Sequence, residues 1–104
     1  MPRKAKKAIT QFRRHLIRHY ADAEAYLFGS YARGTWLEDS DLDVIVVSKE
    51  FTDQTFAKRV ESVRQLAPAE QAFEIIAYTP REFREAQKRS MIIRDARRYW
   101  QRIV

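Results

Sequence analysis

The stretch Asp41-Leu42-Asp43-Val44-Ile45-Val46-Val47 constrains this chain more than any other. Strand side chains alternate between faces, so Asp41 and Asp43 share one face while Leu42, Val44 and Val46 share the other. The β-branched run predicts a strand, and its nearly all-apolar far end suits a strand covered on both sides. Two carboxylates held side by side raise one another's pKa unless a cation sits between them. The pair is therefore a candidate divalent-metal site. Taken alone, a pair of exposed turn acids explains Asp41 and Asp43 equally well. The apolar run Leu27-Phe28 ending in Gly29-Ser30, ten residues upstream, favours the metal reading. A glycine lets backbone N–H groups approach phosphate oxygens, and Ser30 can add a hydroxyl donor.

Around this pair the chain reads as alternating helices and strands. Ala5, Ala8, Ile9, Phe12, Leu16 and Tyr20 recur at helical spacing over residues 4–20, with Lys and Arg on the other face. Residues 24–29 predict a first strand, 41–47 a second and 72–78 a third. Thr52 or Asp53 can cap a helix running to about Leu66, with Phe56, Val60, Val63 and Ala67 as its buried stripe and Pro68 beyond it. Thr79-Pro80-Arg81-Glu82 is a helix start: a cap, a proline at the first helical position and a capping box. Phe83 and Ala86 belong to that helix. Ala96, Tyr99, Trp100 and Ile103 continue a helical pattern from Ile92, and whether it breaks near Ser90 is left open by the periodicity.

The connections predict the topology. A link of about eleven residues, long for a tight hairpin, can hold one helical turn and return the second strand antiparallel to the first. A full helix between the second and third strands is the usual crossover to a parallel neighbour. Gly29, Ser30, Asp41, Asp43 and Glu74 then meet at one edge of the sheet. A charged Glu74 in a buried-looking strand is costly unless paired or ligated, which draws it into the cluster. The competing reading is an edge-strand glutamate facing solvent.

At 104 residues there is room for one core, so a single domain over 1–104 is expected. A hydrophobic share of 45% is too high for a disordered chain. No apolar run approaches the ~20 residues of a membrane span. The basic N-terminus leads into an amphipathic pattern, not a signal core. Absence of cysteine excludes disulfides and thiolate metal sites and fits a cytoplasmic protein. Residues 1–18 hold seven Lys/Arg and no acid, residues 19–80 five against eleven acids, and residues 81–104 eight against three. An acidic centre between basic ends suits a site that holds cations and, through them, an anionic substrate. Solvated helix faces account for most of the basic residues. A nucleic-acid-binding role has little support, because aromatics are not interleaved among those charges. His15 and His19, four apart on the first helix, have no third ligand nearby and read as surface or packing residues.

Gly29-Ser30, ten residues, then Asp41-Leu42-Asp43 resembles the signature of the DNA polymerase β-like nucleotidyltransferase superfamily. The string Gly-Ser-Tyr-Ala-Arg-Gly-Thr-Trp…Ser-Asp-Leu-Asp-Val-Ile-Val-Val looks like its minimal nucleotidyltransferase (MNT) branch, and Glu74-Ile-Ile-Ala-Tyr-Thr-Pro-Arg-Glu-Phe83 is similar to that branch's third-acid strand and following helix. The resemblance covers roughly residues 25–85. It implies an α+β fold, a three-stranded mixed sheet flanked by about four helices. It implies transfer of a nucleoside monophosphate from a triphosphate, ATP by resemblance, to an acceptor hydroxyl. Asp41 and Asp43 resemble the ligands of two Mg²⁺ ions. Glu74 resembles the third acid, often aspartate in the wider superfamily, which ligates metal and helps deprotonate the acceptor. Gly29 and Ser30 resemble the turn that holds the phosphates. Arg33 is open between neutralising phosphate charge and a surface position. So short a chain lacks the further domain of larger members, so the acceptor comes from a partner or a homo-oligomer. MNT proteins pair with HEPN-domain toxins, so the resemblance implies an antitoxin that adenylylates its partner. A non-catalytic antitoxin is the alternative.

Overall fold

The computed structural model describes residues 1–104. Helix α1 (Arg3–His19) leads into strand β1 (Glu24–Phe28), the short helix α2 (Gly29–Arg33) and strand β2 (Leu42–Val47). A 3-10 turn (Lys49–Phe51), α3 (Phe56–Arg64), β3 (Phe73–Tyr78), α4 (Pro80–Arg89), α5 (Met91–Ala96) and β4 (Gln101–Arg102) follow. The sheet runs β3-β2-β1-β4. Strand β2 is antiparallel to β1 and parallel to β3, as the connections predict.

Alternation divides the core between the two sheet faces. Ala25 and Leu27 of β1, Leu42, Val44 and Val46 of β2, and Ile75 and Ala77 of β3 pack with Phe12 and Leu16 of α1 and Val63 of α3. Tyr26, Phe28, Ile45 and Val47 turn the other way, onto Phe83 of α4 and Ile93 and Ala96 of α5. Helix α1 forms because its apolar stripe finds the first face; Ala5, Ala8, Phe12 and Leu16 are all buried. Helix α4 starts where its capping box does: the Thr79 hydroxyl accepts from Glu82 N–H, and the Glu82 carboxylate accepts from Thr79 N–H at 2.7 Å.

The architecture is α+β with a mixed sheet, carrying four strands and five α-helices where three strands and about four helices were expected. The helix expected to run on from Ile92 stops at Ala96. Tyr99 and Trp100 pack on the second face while Ile103 packs on the first, so the chain crosses the sheet edge between them. There β4 pairs with β1, and Ile103 N–H donates to Ala25 C=O at 2.8 Å. The break near Ser90 is real, and its hydroxyl caps α5. Helix α3 is capped by Thr55 rather than Thr52 or Asp53, and Phe56 lies largely exposed rather than in the buried stripe. No helix is long and apolar enough to cross a membrane.

Candidate active site

The register of the sheet brings the acids together. Phe28 of β1 stands opposite Asp43 of β2, and Asp43 stands opposite Glu74 of β3. Opposite residues on neighbouring strands hold their Cβ atoms about 5 Å apart. Asp41, one residue before β2, falls on the same face as Asp43. One backbone bond and one side-chain bond tie that segment to the residues just before β3: Leu42 N–H donates to Ala72 C=O at 2.9 Å, and the Gln71 side-chain amide donates to Ser40 C=O at 3.3 Å. All three carboxylates thus lie at one end of the sheet, on the face that carries α4 and α5.

Their environments differ. Asp43 is half-buried, whereas Asp41 and Glu74 are exposed. Burial first, then the Glu74 charge, then the Asp41 charge push the Asp43 carboxyl up to about 6. Strand β3 lies at the edge of the sheet, so the premise that Glu74 sits in a doubly covered strand does not hold. Its proximity to Asp43 comes from register, not from the cost of burying a charge.

Gly29 closes the other side. Its φ is +72°, and a Cβ built there would lie 2.7 Å from Asp43 Cγ, closer still to Oδ2. Glycine therefore meets two demands, a left-handed backbone and direct contact with the carboxylate. Helix α2 starts at this residue, and its first backbone N–H groups have no intrahelical partner. The link between β1 and β2 thus holds a single helical turn. Gly34, at φ +82°, ends the helix, its N–H donating to Ser30 C=O at 3.0 Å.

Arg33 is carried away from the acids. Its guanidinium pairs with Asp95 of α5 and lies 4.4 Å from the Tyr99 ring centroid. Neither Asp95 nor Tyr99 was singled out for this site, and no local pattern signals a contact spanning sixty-two residues. Trp36 stacks on Tyr31, with ring centroids 5.9 Å apart. The His15 ring contacts Leu66 C=O at 3.0 Å, in keeping with a packing role.

The donor set is hard oxygen, which suits Mg²⁺. None of the three acids has an ion-pair partner in the protein, so a cation would relieve the repulsion that Asp43 experiences. As the side chains stand, no three His, Asp or Glu groups form a set that could hold a metal ion. Joint ligation by Asp41, Asp43 and Glu74 therefore takes side-chain rotation.

Comparison with known proteins agrees with this layout. The family model described as "Nucleotidyltransferase domain" matches residues 9–100. A solved structure of a candidate nucleotidyltransferase is 26% identical, with TM-score 0.56, and the match covers 94% of this chain and 96% of that one. A second candidate nucleotidyltransferase, from Sulfolobus solfataricus, is 22% identical with TM-score 0.54 over 82% of both chains, a likeness of fold. No curated protein matches the chain.

Proposed function

We propose that this chain, which belongs to the nucleotidyltransferase domain family, transfers a nucleoside monophosphate, AMP from ATP, to a hydroxyl of an acceptor. One observation carries the proposal: Asp43 and Glu74 stand opposite each other on neighbouring strands, with Asp41 on the same face and Gly29 against the Asp43 carboxylate.

Each group has a role in that reading. The acceptor oxygen attacks the α-phosphorus, the bond to the bridging oxygen of the β-phosphate breaks, pyrophosphate leaves, and Glu74 helps take the acceptor proton. Asp41, Asp43 and Glu74 are the residues that would hold Mg²⁺. When bound, the metal supplies charge stabilisation for attacking and leaving oxygens. The free N–H groups at the start of α2, with the Ser30 hydroxyl, orient the β- and γ-phosphates. Arg33 joins them only by exchanging Asp95 for phosphate.

The resemblance to MNT proteins extends the proposal to the acceptor. It is a HEPN-domain protein, modified on a hydroxyl, with this chain as the antitoxin. The test is incubation of the pure protein with Mg²⁺, α-labelled ATP and the product of the neighbouring gene. Label on that partner is the expected result; nucleotide binding without any label transfer would overturn it. The Asp41→Asn/Asp43→Asn double variant separates transfer from binding. It should lose both labelling and neutralisation, and full neutralisation without labelling would leave a binding antitoxin.

A further inference from the structure

Helix α1 presents Arg3, Lys4, Lys7 and Arg14 along one exposed side, with Gln11 among them. This side is not a convex solvated surface. It faces the segment linking α3 to β3, and two cavities of about 460 and 350 Å³ lie between them, while a third of about 340 Å³ lies along the helix itself, lined by Lys7, Thr10, Gln11, Arg14 and His15. The first and third share Lys7 and Gln11, and the first and second share Lys4, Glu70 and Gln71. They form one groove, running from Arg14 along the helix to Ser40, the residue before Asp41.

The charge pattern works against the helix that carries it. Arg3, Lys4, Lys6 and Lys7 occupy its first two turns, where the backbone dipole disfavours cations. There is no acid in the first turn and no side-chain cap. The molecule's three ion pairs all lie elsewhere, so none of the α1 cations is neutralised from within. A local rule broken without internal compensation points to a ligand that supplies the missing charge.

The lining says which anion. No Phe, Tyr or Trp lines the groove, so bases find no stacking platform there and any nucleic-acid contact is to the backbone alone. Protein interfaces rest on aromatic and apolar anchors and are depleted in lysine, so an acidic protein would find little purchase. A phosphodiester backbone needs only cations and hydrogen-bond donors, which Lys, Arg and Gln provide. Each cavity, a few hundred Å³ and open on one side, has room for one sugar–phosphate backbone. Glu70 lines the first two cavities and Glu38 and Asp39 line the Ser40 end, so the phosphate track keeps to the α1 side and stops at Lys4.

We propose that this groove binds the sugar–phosphate backbone of a single nucleic-acid strand, independently of sequence. Binding there requires neither metal nor triphosphate, so it stands or falls apart from the transferase reading. Fluorescence anisotropy with a labelled twelve-nucleotide oligouridylate tests it. Four groove cations predict that the logarithm of the association constant falls with the logarithm of salt concentration at a slope of about −3. Lys4→Ala/Lys7→Ala should weaken binding about tenfold at low salt and halve that slope. Arg84→Ala/Lys88→Ala removes the same charge from the exposed side of α4 and should bind as the wild type does. Circular dichroism on each variant checks that it folds. The proposal is overturned if the α1 variant binds normally, if both variants weaken equally, if polyglutamate of the same length competes as well as oligouridylate, or if no binding occurs at low salt.

Discussion

Gly29 and Gly34 both have positive φ, yet only Gly29 touches the candidate site. That contrast separates backbone strain from crowding. Around Gly34 nothing lies within 4 Å of a built Cβ, so Gly34→Ala carries the left-handed backbone cost alone, about 1 kcal/mol. Gly29→Ala adds collision with Asp43 and should cost about 2–3 kcal/mol by urea denaturation, with label transfer lost. Asp43 itself titrates in the unfavourable direction. Its carboxyl is raised from 3.8 to about 6, so the folded state holds a proton that the unfolded state has released. Stability from this group is complete below pH 3.8 and is lost as pH rises through 6. The shift alone would represent about 3 kcal/mol; solvent at this half-exposed group reduces it to about 1 kcal/mol. Asp43→Asn should therefore stabilise the protein at pH 7.5 relative to pH 5 while abolishing transfer, measured by paired urea titrations. Equal variant effects at both pH values would mean that folding does not raise this carboxyl, by burial or by its charged neighbours. Both residues were legible in the sequence, because spacing alone puts Asp41 and Asp43 on one face. The half-burial of Asp43 was not, since it depends on what covers the sheet.

At the scale of elements, α3 seals the edge of the sheet as well as helping to cover its first face. Strand β3 has no further strand beside it, and two arginines take its outward carbonyls: Arg59 donates to Ala77 C=O at 3.2 Å and Arg64 to Phe73 C=O at 3.0 Å. Arg59 is buried, and it also donates to Gln54 C=O at 3.0 Å and to the Glu82 carboxylate at 2.6 Å. It thereby joins α3, β3 and the capping box of α4. Three acceptors lose a donor at once in Arg59→Ala, which should cost about 2–3 kcal/mol in chemical denaturation. Arg59→Lys should recover little of it, because an ammonium cannot reproduce the planar fork. The sequence showed the three main strands, the crossover and the Thr79 cap, since each has a local signal in alternation, length or capping chemistry. It left room for a helical turn between the first two strands without placing α2, and it did not show β4. Five residues starting at a glycine carry no helical period, and Ala96, Tyr99, Trp100 and Ile103 mimic one by coincidence of spacing. What decides their conformation is which sheet face each side chain reaches.

For the molecule as a whole, the two faces of the sheet are unequally provided for. The first is covered by α1, seventeen residues long, and by α3. The second, which carries the acids, depends on α4, the six-residue α5 and the turn behind it. Trp100 holds that cover in place. Its ring lies 4.7 Å from Tyr26 and 5.5 Å from Phe83, with Tyr26 and Phe83 5.4 Å from each other. Removing it opens the aromatic stack between sheet and helix and loosens the segment that brings Asp95 to Arg33. A radius of gyration of 13.0 Å is what one compact body of this length should have. Domains of this size are stable by about 5–15 kcal/mol, so one such contact weighs heavily. Trp100→Ala should cost about 3 kcal/mol in guanidinium denaturation. Met91→Ala, at a position 83% exposed on α5, should be neutral within about 0.5 kcal/mol. If the two variants are equally mild, α5 and the C-terminal turn are not what covers the face of the sheet that bears Asp43 and Glu74.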